Sequence, residues 1–255
     1  MLGSDRFGRP PFLQEVRLEW GRAGPDEYPW NLAAIQRLLR IPFDTAVTFF
    51  VGENGSGKST LLEAIAAQCG FNLQGGGRNA NFKTREEDVA LADMLVLSWQ
   101  PKVTSGFFLR AESFFDYATY LDEMQRERPE TLEPYGGVSL HEQSHGESFF
   151  ALFKHRLTGK KNFLIFDEPE AALSPARQLE FLGMLYRMER ELQCQVLIAT
   201  HSPILLGYPG ATIWSLDGSP MRRVRWEETR HYKVTKRFLS DRDKVFAELL
   251  EEDSS

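Results

Sequence analysis

Gly52-Glu53-Asn54-Gly55-Ser56-Gly57-Lys58-Ser59, followed by Thr60, is a glycine-rich run that ends in a lysine and two hydroxyl residues. It satisfies the Walker A pattern in full. Glycines lack Cβ, so the backbone can wrap round a phosphate with successive N–H groups pointing inward. Lys58 would bring a cation to the β- and γ-phosphates of a nucleoside triphosphate, and Ser59 a hydroxyl oxygen to Mg2+. A second chemical pair is Asp167-Glu168, which ends the apolar run Phe163–Phe166. Asp167 suits Mg2+, directly or through water, which leaves Glu168 to orient and deprotonate an attacking water. Two acids after an apolar run are by themselves equally a solvated strand end; beside a P-loop they become catalytic candidates.

These groups need elements to position them. Ala46–Val51 is short, rich in Val, Thr and Phe, and ends at Gly52, as expected of a buried parallel strand opening onto a glycine turn. Thr60–Cys69 carries Leu61, Leu62, Ile65 and Ala66 at helical spacing, and Gly70 ends it. A helix beginning at the end of that loop adds its partial positive charge to the phosphate site. Further strands are expected at Phe12–Trp20, Met94–Trp99, Gly106–Arg110, Asn162–Phe166 and Gln195–Thr200. The strands at 94–99 and 106–110 would flank a turn around Pro101. Helices are expected at Ser113–Arg128, Pro175–Leu192 and Phe238–Leu250. The alternating order implies an α/β fold with a mainly parallel sheet covered on both faces. Carboxylates at the end of one of its strands then sit where open α/β sheets bind ligands.

The chain has 255 residues, 42% hydrophobic and 26% charged, enough for a substantial core in one domain with a subsidiary lobe. Phe163–Phe166 and Val196–Ala199 are far shorter than the roughly 20 residues of a membrane span. Met1–Pro11 lacks the apolar stretch of a secretory signal, so a cytoplasmic location is expected. Cys69 and Cys194 both read as buried, reduced thiols. A net charge of −6 argues against a generally basic nucleic-acid binder, with Lys154–Lys161 and Arg222–Arg237 as local basic stretches.

Further segments resemble the ABC family of ATPases. Gln143-Ser144-His145-Gly146-Glu147 is similar to the signature Leu-Ser-Gly-Gly-Gln/Glu, Asp167-Glu168-Pro169-Glu170-Ala171-Ala172-Leu173-Ser174 to Walker B running into the D-loop, and Ala199-Thr200-His201-Ser202 to the switch histidine motif. The wording of Gly52–Ala66, Phe107–Ser113 and the signature's final Glu147 is similar to soluble SMC- and RecF-like members, and to a small stand-alone branch of predicted AAA-family ATPases. No sustained heptads separate Ser59 from Ser144, so no coiled-coil arm is expected.

The resemblance implies an ABC-ATPase head: a RecA-like, mainly parallel sheet with flanking helices over about 1–112 and 148–220, an antiparallel β portion, a helical lobe over about 113–147 and a C-terminal helix over about 231–250. It implies ATP and Mg2+ as ligands. Ser144 and Gly146 would cover the γ-phosphate held by the other subunit of an ATP-dependent homodimer, and His201 would contact that phosphate. Glu112 is the preferred Q-loop residue and metal contact, since it follows the strand Phe107–Ala111; Gln100 has the expected type but falls in a turn. Tyr28 or Trp30 would stack on adenine, and either can instead pack against the sheet edge. Three positions depart from the family wording: Gln143, His145 in place of the first signature glycine, and Ser174 where the D-loop carries Asp. The function expected is a soluble ATPase acting on nucleic acid or a protein partner in repair or defence. The alternatives are the nucleotide-binding subunit of a membrane transporter and a non-hydrolysing regulator.

Overall fold

A computed structural model describes residues 8–19, 28–73, 91–112, 114–127, 150, 159–218 and 220–252. Its strands are β1 (Leu13–Leu18), β2 (Arg40–Pro42), β3 (Val47–Val51), β4 (Leu95–Trp99), β5 (Gly106–Arg110), β6 (Phe163–Asp167), β7 (Gln195–Ala199), β8 (Thr212–Ser215) and β9 (Arg222–Val224). The described helices are α1 (Ala33–Gln36), α2 (Lys58–Gln68), α3 (Phe114–Glu127), α4 (Pro175–Arg190), α5 (Pro203–Leu206), α6 (Arg230–Ser240) and α7 (Arg242–Glu252).

The strands form two sheets. A six-stranded sheet runs β5-β6-β7-β3-β8-β9, parallel except for β9, and a three-stranded antiparallel sheet runs β2-β1-β4. This is the expected mixed α/β architecture. Every residue of β3, β6 and β7 is buried, which follows from apolar runs covered on both faces. Alternate residues feed two cores. Phe50, Ile165 and Leu197 pack with Leu61, Leu62 and Ile65 of α2 and with Leu13 and Val16 of the small sheet. Phe49, Phe166 and Ile198 pack with Phe181, Leu185 and Met188 of α4 and with Leu205 of α5. Phe166 meets Phe107 and Phe181 edge-on, with ring centroids 6.0 and 5.6 Å away.

One buried side chain joins the sheets. Gln195 Oε1 accepts from the backbone N–H groups of Phe12 (2.8 Å) and Leu13 (2.7 Å), and its Nε2 donates to Leu13 O (3.0 Å). A wholly buried glutamine is tolerated because its amide is satisfied on both sides.

Two features differ from the sequence expectation. β4 and β5 do not flank one turn as neighbours: β4 pairs with β1 in the small sheet and β5 with β6 in the large one. The half-buried pattern of β4 suits a sheet with one open face, whereas β5 is apolar through its centre. The single C-terminal helix expected over 231–250 is instead two. Asp241 leaves helical geometry (φ −152°, ψ 74°), and its carboxylate accepts from Lys244 N (3.2 Å), so it caps a new helix. Among the described residues no helix is long and apolar enough to cross a membrane.

Candidate active site

The P-loop leaves β3 at Gly52 and becomes α2 at Lys58. Gly57 sits at φ 96°, ψ 12°, a left-handed conformation in which a side chain would be strained. Gly52 is needed for a different reason, since a Cβ there would lie 2.6 Å from Ser56 Oγ. Lys58 is only 4% exposed and bends back over the loop, donating to Gly52 O (2.9 Å) and Glu53 O (3.3 Å). Burial lowers its pKa, and the carboxylates of Glu168 and Asp167 oppose that fall. Ser56 Oγ is buried inside the loop without a hydrogen-bond partner. A buried hydroxyl without a partner and a lysine curled over loop carbonyls are groups that a phosphate anion would satisfy.

The carboxylates stand two strands away, across β7. Asp167 is the last residue of β6, 1% exposed, and accepts a hydrogen bond from Ser59 Oγ (3.1 Å). Burial pushes its carboxyl up to about 6, against the pull of Arg110 and the Ser59 hydroxyl. Glu168 has left the strand in a left-handed conformation (φ 50°, ψ 51°) that a residue with a long side chain rarely adopts. Its N–H donates to Ala199 O (2.9 Å), which ties the strained turn to β7. His201 follows β7, and its Nε2 lies 3.3 Å from Glu168 Oε1 without an aligned hydrogen bond. Lys58, Ser59, Asp167, Glu168 and His201 thus gather at the carboxyl ends of three adjacent parallel strands.

Glu112 lies just beyond β5, and its side chain is 71% exposed while pairing with Arg110 (3.2 Å). Gln100 donates its backbone N–H to Phe12 O (2.7 Å), at the edge of the small sheet. Trp30 is 3% exposed in the core, whereas Tyr28 is 47% exposed with its hydroxyl 2.9 Å from Thr60 Oγ1, beside the P-loop. Ser174 caps α4, accepting from Arg177 N (3.4 Å). Ser and Asp are both good N-caps, so the exchange at this position keeps the local helix start. Ser144 and Gly146, with His145, lie outside the described residues.

Four residues near the site escaped the sequence reading. Arg110 ends β5 in register with Asp167; it bonds Glu63 (2.6 Å) and lies 3.5 Å from Asp167. The signal for it was present, a charge closing an apolar run as at Asp167. Glu170 accepts from His201 N (2.6 Å), and burial raises its pKa. Asp217 accepts from Glu53 N (2.8 Å) and so anchors the P-loop to the segment after β8. His231 Nε2 lies 2.9 Å from His201 Nδ1, a contact that no local pattern announces.

Two family models match the chain: "AAA domain" over residues 31–128 and "AAA domain, putative AbiEii toxin, Type IV TA system" over 135–207. The zinc import ATP-binding protein ZnuC of Photobacterium profundum is 27% identical over 160 residues, covering 61% of this chain and 58% of that protein. The siderophore transport system ATP-binding protein YusV of Bacillus subtilis is 25% identical over 171 residues, covering 61% of each. The chain thus matches about three fifths of the length of these relatives. Among solved structures, cbiO1 of Clostridium perfringens, part of the ABC transporter complex cbiONQ, shares the fold at TM-score 0.50 and 19% identity, covering 94% of this chain and 99% of that one. The P-loop and carboxylate pair at neighbouring strand ends, the sheet order and these likenesses together support an ABC-type P-loop ATPase.

Proposed function

We propose that the chain binds ATP with Mg2+ and hydrolyses it. The observation that carries this reading is the convergence of Lys58, Ser59, Asp167, Glu168 and His201 on one end of the sheet. The loop amides and the start of α2 hold the phosphates, and Lys58 exchanges two backbone carbonyls for phosphate oxygens. Among the described residues no cluster of three or more His, Cys, Asp or Glu awaits a metal, and Mg2+ bound largely by phosphate oxygens and waters needs no such cluster. Ser59 and Asp167 would hold Mg2+, which neutralises phosphate charge. Glu168, projected from the strand end by its unusual backbone, accepts the proton of the attacking water. His201 Nε2 faces the same space and contacts the γ-phosphate. Tyr28 is the aromatic free to meet adenine, because Trp30 is committed to the core.

ATP is also proposed to join two copies, with Ser144 and Gly146 of each closing the other's site. The ATP cycle then acts on nucleic acid or a protein partner in repair or defence, in the cytoplasm; the toxin-system description of one matching family model supports the defence reading. The transport-system names of the relatives favour a second reading, an ATP-binding subunit that docks on a membrane partner. The experiment is phosphate release and light scattering on wild type and Glu168→Gln with Mg-ATP, with Ser144→Arg added as the interface block. Glu168→Gln should bind ATP, hydrolyse it at a rate lower by about two orders of magnitude or more, and form a dimer that Ser144→Arg abolishes. Wild-type turnover by Glu168→Gln rejects the general base. An inactive, ATP-bound monomer rejects the paired-site mechanism. Capture of the ATP-locked form on membranes rather than on soluble partners selects the transporter reading.

A further inference from the structure

His231 belongs to α6, outside every nucleotide motif, yet its ring meets the switch histidine. His201 Nδ1 and His231 Nε2 are 2.9 Å apart, and the ring centroids are 5.0 Å apart with planes inclined by 60°. The start of α6 is held firmly in that place. Thr229 is buried and caps the helix, accepting from Tyr232 N (3.3 Å) and donating to Trp226 O (2.7 Å). Trp226 in turn donates its indole N–H to Pro203 O (2.9 Å), at the start of α5. Arg230 pairs with Glu53 of the P-loop (3.0 Å). The first turn of α6 is therefore braced against both the switch segment and the phosphate loop.

One proton must lie between the two rings, and two arrangements are open to a neutral pair. If His201 Nδ1 carried it, His231 Nε2 would accept, and the proton of His231 would sit on Nδ1. That atom is buried with no hydrogen-bond partner, so an N–H donor would be stranded. His201 Nε2 would also present a bare lone pair to the Glu168 carboxylate, 3.3 Å away. If His231 Nε2 carries the proton instead, the stranded Nδ1 is only a lone pair, and a buried unmet acceptor is less costly than a buried unmet donor. His201 Nδ1 then accepts and its proton moves to Nε2, which also has no aligned hydrogen-bond partner but lies 3.3 Å from the Glu168 carboxylate, so the unbonded N–H of this arrangement sits beside an anion and points toward the phosphate site. Burial, followed by the neighbouring His201, lowers the pKa of His231, which favours the neutral ring this arrangement uses.

We propose that His231 is a positioning residue that fixes the tautomer and ring orientation of His201, so that His201 Nε2–H is aimed at the γ-phosphate and α6 is tied to the nucleotide state. The proposal rests on the reading of the site as an ATPase centre; its contact with His201 can be tested without turnover.

His231→Gln places an amide N–H within reach of the position of Nε2 but removes the ring, whereas His231→Phe keeps a ring and removes the donor. The Phe variant should lose about tenfold or more in kcat, by analogy with the loss seen when the outer partner orienting a metal-bound histidine is removed, with KM much less affected. The Gln variant should retain most of the turnover. In a His201→Ala background His231→Phe should add no further loss, because His231 acts through His201. Full activity in His231→Phe, a larger loss in His231→Gln than in His231→Phe, or an undiminished effect without His201 would each overturn the proposal. The imidazole 15N spectrum of the nucleotide-free protein is the second arm. His201 should be protonated at Nε2 in the wild type and in His231→Gln, and should become a tautomer mixture in His231→Phe. An unchanged His201 spectrum in His231→Phe overturns the proposal. Should the wild type release no phosphate, the ATPase reading falls, and the nitrogen spectrum alone upholds or rejects the histidine pair.

Discussion

In the variant Asp167→Asn the nucleotide-free protein is expected to be more stable than the wild type at pH 7, although the same change should damage nucleotide binding. Asp167 is almost wholly buried, and burial raises its pKa from 3.8 to about 6 even with Arg110 and Ser59 beside it. A displacement of that size corresponds to ~3 kcal/mol by which the ionised carboxylate destabilises the fold at pH 7. The sign follows from proton counts. Between 3.8 and about 6 the folded chain holds more proton on Asp167 than the unfolded chain does, so stability falls as pH rises through that window. Below it the carboxyl is neutral in both states and the cost disappears. Asn is neutral throughout, can accept the Ser59 hydrogen bond, and leaves Arg110 with Glu63 and Glu112. The gap between variant and wild type should open from near zero below pH 4 to about 2–3 kcal/mol at pH 7, which in a chain of this size is about 5–10 °C in Tm. Denaturant unfolding of both proteins across pH 4–7 in EDTA is the assay, and taking the difference cancels other titrating groups. A less stable Asn variant at pH 7, or a gap that does not change with pH, would refute the reasoning. Calorimetry closes the test: the variant should lose more ATP affinity in Mg2+ than in EDTA, because the destabilising carboxylate is the one proposed to hold the metal.

Lys58→Ala should abolish detectable ATP binding by calorimetry, since the loop would keep its amides but lose the cation that reaches the β- and γ-phosphates; wild-type affinity would contradict the cradle. Gln195→Leu strands the N–H groups of Phe12 and Leu13 and the carbonyl of Leu13, so it should cost about 3 kcal/mol or more in chemical denaturation. A loss under 1 kcal/mol would show that the sheets do not depend on this clamp.

Most of the proposed phosphate site was legible in the chain because its parts are local. A loop from Gly52 to Ser59 between an apolar strand and a helix contains both the groups and the geometry proposed to bind phosphate, and Asp167 and Glu168 are marked by the four-residue apolar run they close. Burial on both faces was legible too, since β3, β6 and β7 have no polar alternation for a solvent face. The capping aspartate at 241 was equally visible in type, but helical spacing on either side concealed it.

What local pattern could not determine is which strand lies beside which, and therefore which distant side chains meet. Strand order puts β7 between β6 and β3, and only then does His201 come within 3.3 Å of Glu168. The parallel register sets Arg110 opposite Asp167, and the Gln195 amide selects the backbone of β1 as its partner. His231 reaches His201 because Thr229 and Trp226 fix the start of α6 against α5, a placement made by tertiary hydrogen bonds and packing. Residue type and spacing determine what each segment can do along its own length. The choice of partner across the fold depends on the simultaneous burial of two cores and the satisfaction of every polar group enclosed between them.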